Sequence, residues 1–180
     1  MARALVIVDI QKDYFPGGAH PLESPEEAAG AARRLLESFR VAGEPVVHVR
    51  HLWDEDDATF MRPGTDGFEI HPDVAPLDGE LVITKAYPNS FRETELEDEL
   101  RARGVDELVV CGMMTSMCVD ATVRAAVDLG FDTTVAHDAC ATCELDFGGV
   151  PIPAASVHAA FLAALADGYA AVVSTDEIAR

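Results

Sequence analysis

Two cysteines seven positions apart bracket a Gly-Met-Met-Thr turn in the stretch CGMMTSMCVDATVRAA, residues 111 to 126. Cys111 falls inside an apolar β-type run, LVVCG, and reads as a small buried hydrophobe. Cys118 falls in the first turn of the helical pattern SMCVDATVRAAVDLG, where unpaired N–H groups and the positive end of the macrodipole stabilise an anion. That position predicts a lowered thiol pKa and an available thiolate nucleophile. Asp9 closes the run ALVIVD, and a carboxylate there is costly to bury unless it is paired or functional; the bland alternative is a turn or N-cap aspartate. Lys85 closes LVITK in a chain with two lysines beside eleven arginines, where a compact ammonium differs from a wide guanidinium fork; the alternative is a surface lysine. An acid, a cation and a thiol at three strand ends make a base, an orienting charge and a nucleophile.

Those strand ends belong to six short apolar, β-branched runs: 4–10, 45–52, 80–85, 107–113, 132–139 and 170–177. Near-continuous hydrophobicity is what parallel strands covered on both faces require. Helical patterns lie between them: PEEAAGAARRLLESFRVAG closing at Gly43, TELEDELRARG closing at Gly104, SMCVDATVRAAVDLG closing at Gly130, and AASVHAAFLAALADG. The alternation predicts an α/β protein, a single-domain, Rossmann-like, doubly wound, six-stranded parallel sheet over 1–180. With the order 3-2-1-4-5-6, strands one and four meet at the switch point, bringing Asp9 and Cys118 close, with Lys85 two strands over. The irregular stretch from Trp53 to Gly79 is long for a plain connection and reads as a lid or pocket wall.

Composition narrows the function classes. A net charge of −19 over 180 residues disfavours nucleic acid and anionic membrane as partners. No 18-residue apolar run offers a bilayer span. The N-terminal run reads as a buried strand rather than a signal peptide, and four cysteines without framework spacing suit a reducing compartment, so a cytoplasmic protein is expected. Cys140 and Cys143 form a C-x-x-C, but no second pair accompanies it for a zinc ribbon, and a redox pair would open a helix rather than follow a strand.

The chain resembles the isochorismatase-like cysteine hydrolase superfamily, which includes nicotinamidases and N-carbamoylsarcosine amidohydrolases. The resemblance rests on VDIQKDYFPGG (8–18), on Lys85-x(5)-Phe91, on CGMMTSMCVDATVRAAVDLGF (111–131) and on HDACAT (137–142). It implies a triad of Asp9, Lys85 and Cys118, a cis peptide between Met113 and Met114, and an oxyanion hole from the N–H groups of Met114 and Cys118. The implied activity is hydrolysis of an amide or carbamoyl C–N bond of a small molecule through a thioester acyl-enzyme. Gln11, Tyr14, Trp53, Phe60, Tyr87 and Phe91 are the expected substrate pocket, an aromatic set that suits a flat or apolar acyl group. Relatives are usually oligomers, so a homodimer or homotetramer is expected, with the last helix and 150–156 at its interface.

Two departures refine the expectation. Nicotinamidases carry an Asp-x-His metal pair after the second strand; here that region reads HVRHLWDEDDATF, and a metal would have to be improvised from His51, Asp54 and His71. The reading is therefore of an enzyme without metal or other cofactor. Isochorismatase itself cleaves a vinyl ether, and the presence of Cys118 favours C–N cleavage over that alternative. A non-catalytic binding protein on the same fold is the other alternative, to be favoured by a missing triad member.

Overall fold

The computed structural model describes residues 2–179, which form eight strands and five α-helices. The strands are β1 (Ala2–Val8), β2 (Val46–His51), β3 (Leu81–Lys85), β4 (Val105–Met113), β5 (Asp132–Ala141), β6 (Leu145–Phe147), β7 (Val150–Ile152) and β8 (Ala171–Val173). The helices are α1 (Pro25–Ala42), α2 (Leu96–Ala102), α3 (Asp120–Asp128), α4 (Ala154–Gly168) and α5 (Thr175–Ile178). Six strands pair in parallel in the order β3-β2-β1-β4-β5-β8. This is the order expected from the sequence, with β8 in the sixth place because β6 and β7 form a separate antiparallel hairpin.

The core follows from the patterning. Ala4 to Val8 are all buried in β1, as a central parallel strand requires. α1 turns Ala28, Ala29, Ala32, Leu35, Leu36 and Phe39 onto β1, β4 and β5, and ends at Gly43, whose φ of 69° is the left-handed C-cap geometry. Gly112 solves a tighter problem. Its φ is 134° and a Cβ there would lie 1.9 Å from the Val8 carbonyl oxygen, so β1 and β4 close on each other only because position 112 has no side chain.

The main differences from expectation are two strand ends and one added hairpin. β1 ends at Val8 rather than residue 10, because Asp9 adopts a left-handed φ of 51° that takes the chain out of the strand. The last strand stops at Val173 instead of running to 177: Ser174 and Glu177 form a capping box that starts α5. The β6–β7 hairpin, joined by Gly148 and Gly149, was not expected at all.

Candidate active site

The carboxyl ends of β1, β2 and β3 and the turn after β4 assemble the site. Asp9 steps out of β1 in its left-handed conformation, its N–H donating to Val49 O at 2.9 Å. Lys85 closes β3 directly opposite His51 in the β2–β3 register, so both side chains leave the same face. After β4 the Met113–Met114 peptide is cis, and a wide π-helical turn, Thr115–Val119, carries Cys118; Val119 N–H closes it onto Met114 O at 3.1 Å. Lys85 Nζ lies 2.6 Å from Asp9 Oδ2, with both side chains fully buried. It also lies 3.0 Å from His51 Nδ1. One donor atom each from Asp9, His51 and Cys118 falls within 4.8 Å of the others.

Burial governs the electrostatics. It pushes the Cys118 thiol up, the Asp9 carboxylate adds to the rise, and Lys85 opposes without offsetting them. The expected lowering of this thiol is therefore wrong. Cys118 sits in the π-helical turn, not in the first turn of an α-helix, and desolvation is the largest cause of the rise. For Lys85, burial works against the charge, but Asp9 and Cys118 outweigh it and its pKa is raised. Burial and then the Lys85 charge lower His51, against a smaller opposing effect of Asp9. Tyr14 stays a protonated phenol, raised first by burial and then by Cys118 and Asp9.

A pocket of about 320 Å³ opens onto Cys118, walled by Tyr14, His51, Trp53, Phe60, Met114 and Met117, with Glu55, Ala86 and Pro88 completing its lining. Trp53 meets Phe60 edge-on at 5.4 Å, and His20 stacks on Phe60 at 4.8 Å. The first part of the stretch 53–79, from Trp53 to Phe60, is thus a pocket wall. Asp13 ties it down: its carboxylate accepts the N–H groups of Met61 at 2.6 Å and Ala19 at 2.9 Å, and Gly67 packs so closely that a Cβ would strike it.

Three expected pocket residues lie elsewhere. Gln11 is a clamp, its amide accepting His51 N–H at 2.7 Å and donating to His51 O at 3.0 Å and Phe68 O at 2.8 Å, which leaves no donor for a ligand. Tyr87 lies under the Arg92 guanidinium at 3.7 Å. Phe91 stacks on Phe131 at 5.9 Å, because Ser90 hydrogen-bonds Thr122 and pins this segment against α3. Sequence reasoning missed Met117, Pro88, Glu55 and His20, and it placed His51 only as a possible metal ligand. His51 carried the same signal as Asp9 and Lys85, a polar residue at the carboxyl end of a strand.

The three groups considered for an improvised metal site do not gather. His71 stacks on Phe15 at 3.8 Å and its Nδ1 accepts Asp73 N–H at 3.3 Å, while Asp54 is exposed. Among the described residues the His, Cys and acid side chains that do converge are Asp9, His51 and Cys118, and they already surround the chain's own cation, Lys85. Cys140 and Cys143 are both free; the first donates to Ala136 O at 3.3 Å and the second to Met114 Sδ at 3.8 Å.

Fold and site together define a parallel α/β protein with a thiol, a carboxylate and an ammonium gathered where its strand order reverses. The chain belongs to the isochorismatase family: the isochorismatase domain model matches residues 3–177. It is 51% identical to the uncharacterized isochorismatase family protein YddQ of Bacillus subtilis over 98% of both chains. The crystal structure of an isochorismatase hydrolase from Oleispira antarctica superposes with a TM-score of 0.95 at 50% identity, covering 99% of this chain and 96% of that one. N-carbamoylsarcosine amidase from Thermoplasma acidophilum superposes at 0.84 with 28% identity over 98% of both. The protein is thus an isochorismatase-family hydrolase, with an amidase among its structural relatives. Among the described residues no helix is long and apolar enough to cross a membrane.

Proposed function

We propose that the chain hydrolyses an amide or carbamoyl C–N bond of a small molecule through a thioester on Cys118. The observation that carries this reading is the buried Asp9–Lys85 pair, 2.6 Å apart, beside a thiol that lines an apolar pocket. Because burial and Asp9 keep the thiol protonated, attack is coupled to proton transfer: Asp9 takes the Sγ proton as sulfur bonds to the carbonyl carbon. The carbonyl electron pair moves onto oxygen, and the N–H groups of Met114 and Cys118 receive that oxyanion. Asp9 returns the proton to the departing nitrogen, the C–N bond breaks, and the acyl group stays on sulfur. Water deprotonated by Asp9 then adds to the thioester, and Cys118 leaves as a thiol with the acid product free. Lys85 remains an ammonium throughout and orients the carboxylate. It supplies the positive charge of this scheme, in which no metal takes part.

The walls narrow the acyl group. Trp53, Phe60, Met114 and Met117 suit a flat apolar body, and the acid on the rim is Glu55, which favours neutral or cationic amides over anionic ones. Copies of the chain associate through the β6–β7 hairpin, which leaves Phe147 and Val150 largely exposed; a light-scattering mass of one chain would refute this. The reaction itself is tested by ammonia release from a panel of aromatic and aliphatic amides and ureido acids, using the native protein and Cys118→Ala. Release by the native protein alone, with an acyl adduct of matching mass on Cys118, supports the reading. Equal release by Cys118→Ala overturns it.

A further inference from the structure

We infer that His51 is a positioning residue of this site: its Nδ1 accepts one proton of the Lys85 ammonium and so fixes where that ammonium stands between Asp9 and Cys118. The inference rests on the hydrolase reading for its consequence, but its geometry stands independently. An ammonium has three N–H donors and no lone pair, so across the 3.0 Å contact Lys85 Nζ must donate and His51 Nδ1 must accept. The imidazole is then neutral, with its proton on Nε2. The ammonium also pairs with Asp9 Oδ2 at 2.6 Å, and the Cys118 thiol lies close enough to feel its charge. With His51 Nδ1 as hydrogen-bond acceptor and Asp9 as ion-pair partner, the head group of a flexible four-carbon side chain is held from two sides.

The histidine is itself held in place. Its N–H and its carbonyl are both bonded by the Gln11 side chain, at 2.7 and 3.0 Å. Its position in register opposite Lys85 sends both side chains off one face. The charged and titratable groups around it are Lys85 from β3, Asp9 from the end of β1, Cys118 from the turn after β4, Tyr14 from the segment after β1 and Glu55 from the segment after β2. Burial and the Lys85 charge both favour the neutral ring, which keeps Nδ1 an acceptor through the neutral range. Gln11, His51 and Lys85 therefore form a relay of fixed positions that runs from the backbone of β2 to the nucleophile.

Three variants test this: His51→Ala removes the acceptor, His51→Gln places one too far along the side chain, and His51→Asn returns an oxygen to the place of Nδ1. The first readout needs no substrate, namely the rate of Cys118 alkylation by iodoacetamide between about pH 7 and pH 10, with the modified cysteine identified by mass. His51→Ala and His51→Gln are expected to slow alkylation at each pH by roughly tenfold, the size of one lost hydrogen bond to a charged group. His51→Asn is expected to recover to within about threefold of the native rate, which a merely structural role would not produce. With a turnover substrate, kcat falls by a similar factor and KM moves by less than about threefold, because the ammonium acts on the reacting groups. Alkylation by His51→Ala at the native rate, or His51→Asn no better than the other two, overturns the inference. If His51→Ala does not fold, the contrast between His51→Asn and His51→Gln decides. Shifted alkylation without amide hydrolysis by the native protein would sink the proposed reaction and leave the role of His51 standing; hydrolysis with unshifted alkylation would do the reverse.

Discussion

Replacing Lys85 by methionine removes the cation from the site while nearly preserving its volume. Asp9 and Lys85 are both fully buried at the side chain, 2.6 Å apart. Neither Asp9 oxygen has a backbone N–H to fall back on among the described residues. Breaking a buried pair by deleting one partner costs about 3 to 5 kcal/mol, because the remaining charge is left uncompensated. Against a typical domain stability of about 5 to 15 kcal/mol, that is a large fraction of the whole. The second half of the expectation is more diagnostic: Asp9→Asn in the Lys85→Met background removes the orphaned charge and recovers about 2 kcal/mol or more, although the double variant has no catalytic base. Urea denaturation followed by far-UV circular dichroism near neutral pH, with the slopes of the three proteins compared, reads both numbers. A loss below about 1 kcal/mol for Lys85→Met, or a double variant no more stable than the single, would refute the claim that Asp9 depends on Lys85 for its burial.

The remaining expectations concern other parts of the molecule. Glu80 is held to a pKa of about 2, chiefly by its hydrogen bond to Arg40, with burial opposing and with Leu77 N–H and His48 Nε2 assisting. A depressed acid stabilises the fold above its unfolded value and loses that contribution as pH falls, so urea midpoints of native protein and Glu80→Gln should differ most above about pH 5 and converge near pH 2. Gly112→Ala should cost more than about 3 kcal/mol or abolish soluble expression, since its Cβ would meet the Val8 carbonyl in a left-handed conformation; a melting temperature within a few degrees of native would contradict the close approach. In peptide mapping after brief native-state alkylation, the partly exposed Cys143 should be labelled ahead of the fully buried Cys111; early labelling of Cys111 would be inconsistent with this packing.

The strands were legible because buried parallel strands have a one-letter signature, near-continuous Val, Ile and Leu, and their ends could be read as positions for polar groups; their order was what the family resemblance implied. Asp9 and Lys85 were singled out by the strand-end rule, Cys118 by the helical pattern after β4, and the rule would have singled out His51 as well. What escaped has physical reasons. The β6–β7 hairpin carries a two-glycine turn, but its strands are three residues each and one contains Pro151, which argues against a strand. α5 was hidden because Ser174-x-x-Glu177 follows a β-branched run without a break, although the capping-box spacing was visible. The Cys118 thiol was misjudged because sequence shows the local helix end and not the depth of burial. Tyr87 and Phe91 were misplaced because an aromatic near a strand end can turn either way, and the Ser90–Thr122 contact that decides it is thirty-two residues apart in sequence.

Trp53 is the chain's single tryptophan, and it stands in the wall of the Cys118 pocket, edge-on to Phe60. All indole emission therefore originates at the surface against which an acyl group must lie. Quenching or a spectral shift on adding a compound reports occupancy with no turnover and no label. Cys118→Ala protein, which on the proposed mechanism binds without consuming, can thus be titrated against amides by its own light, so that affinity ranks the compounds before any product has been detected.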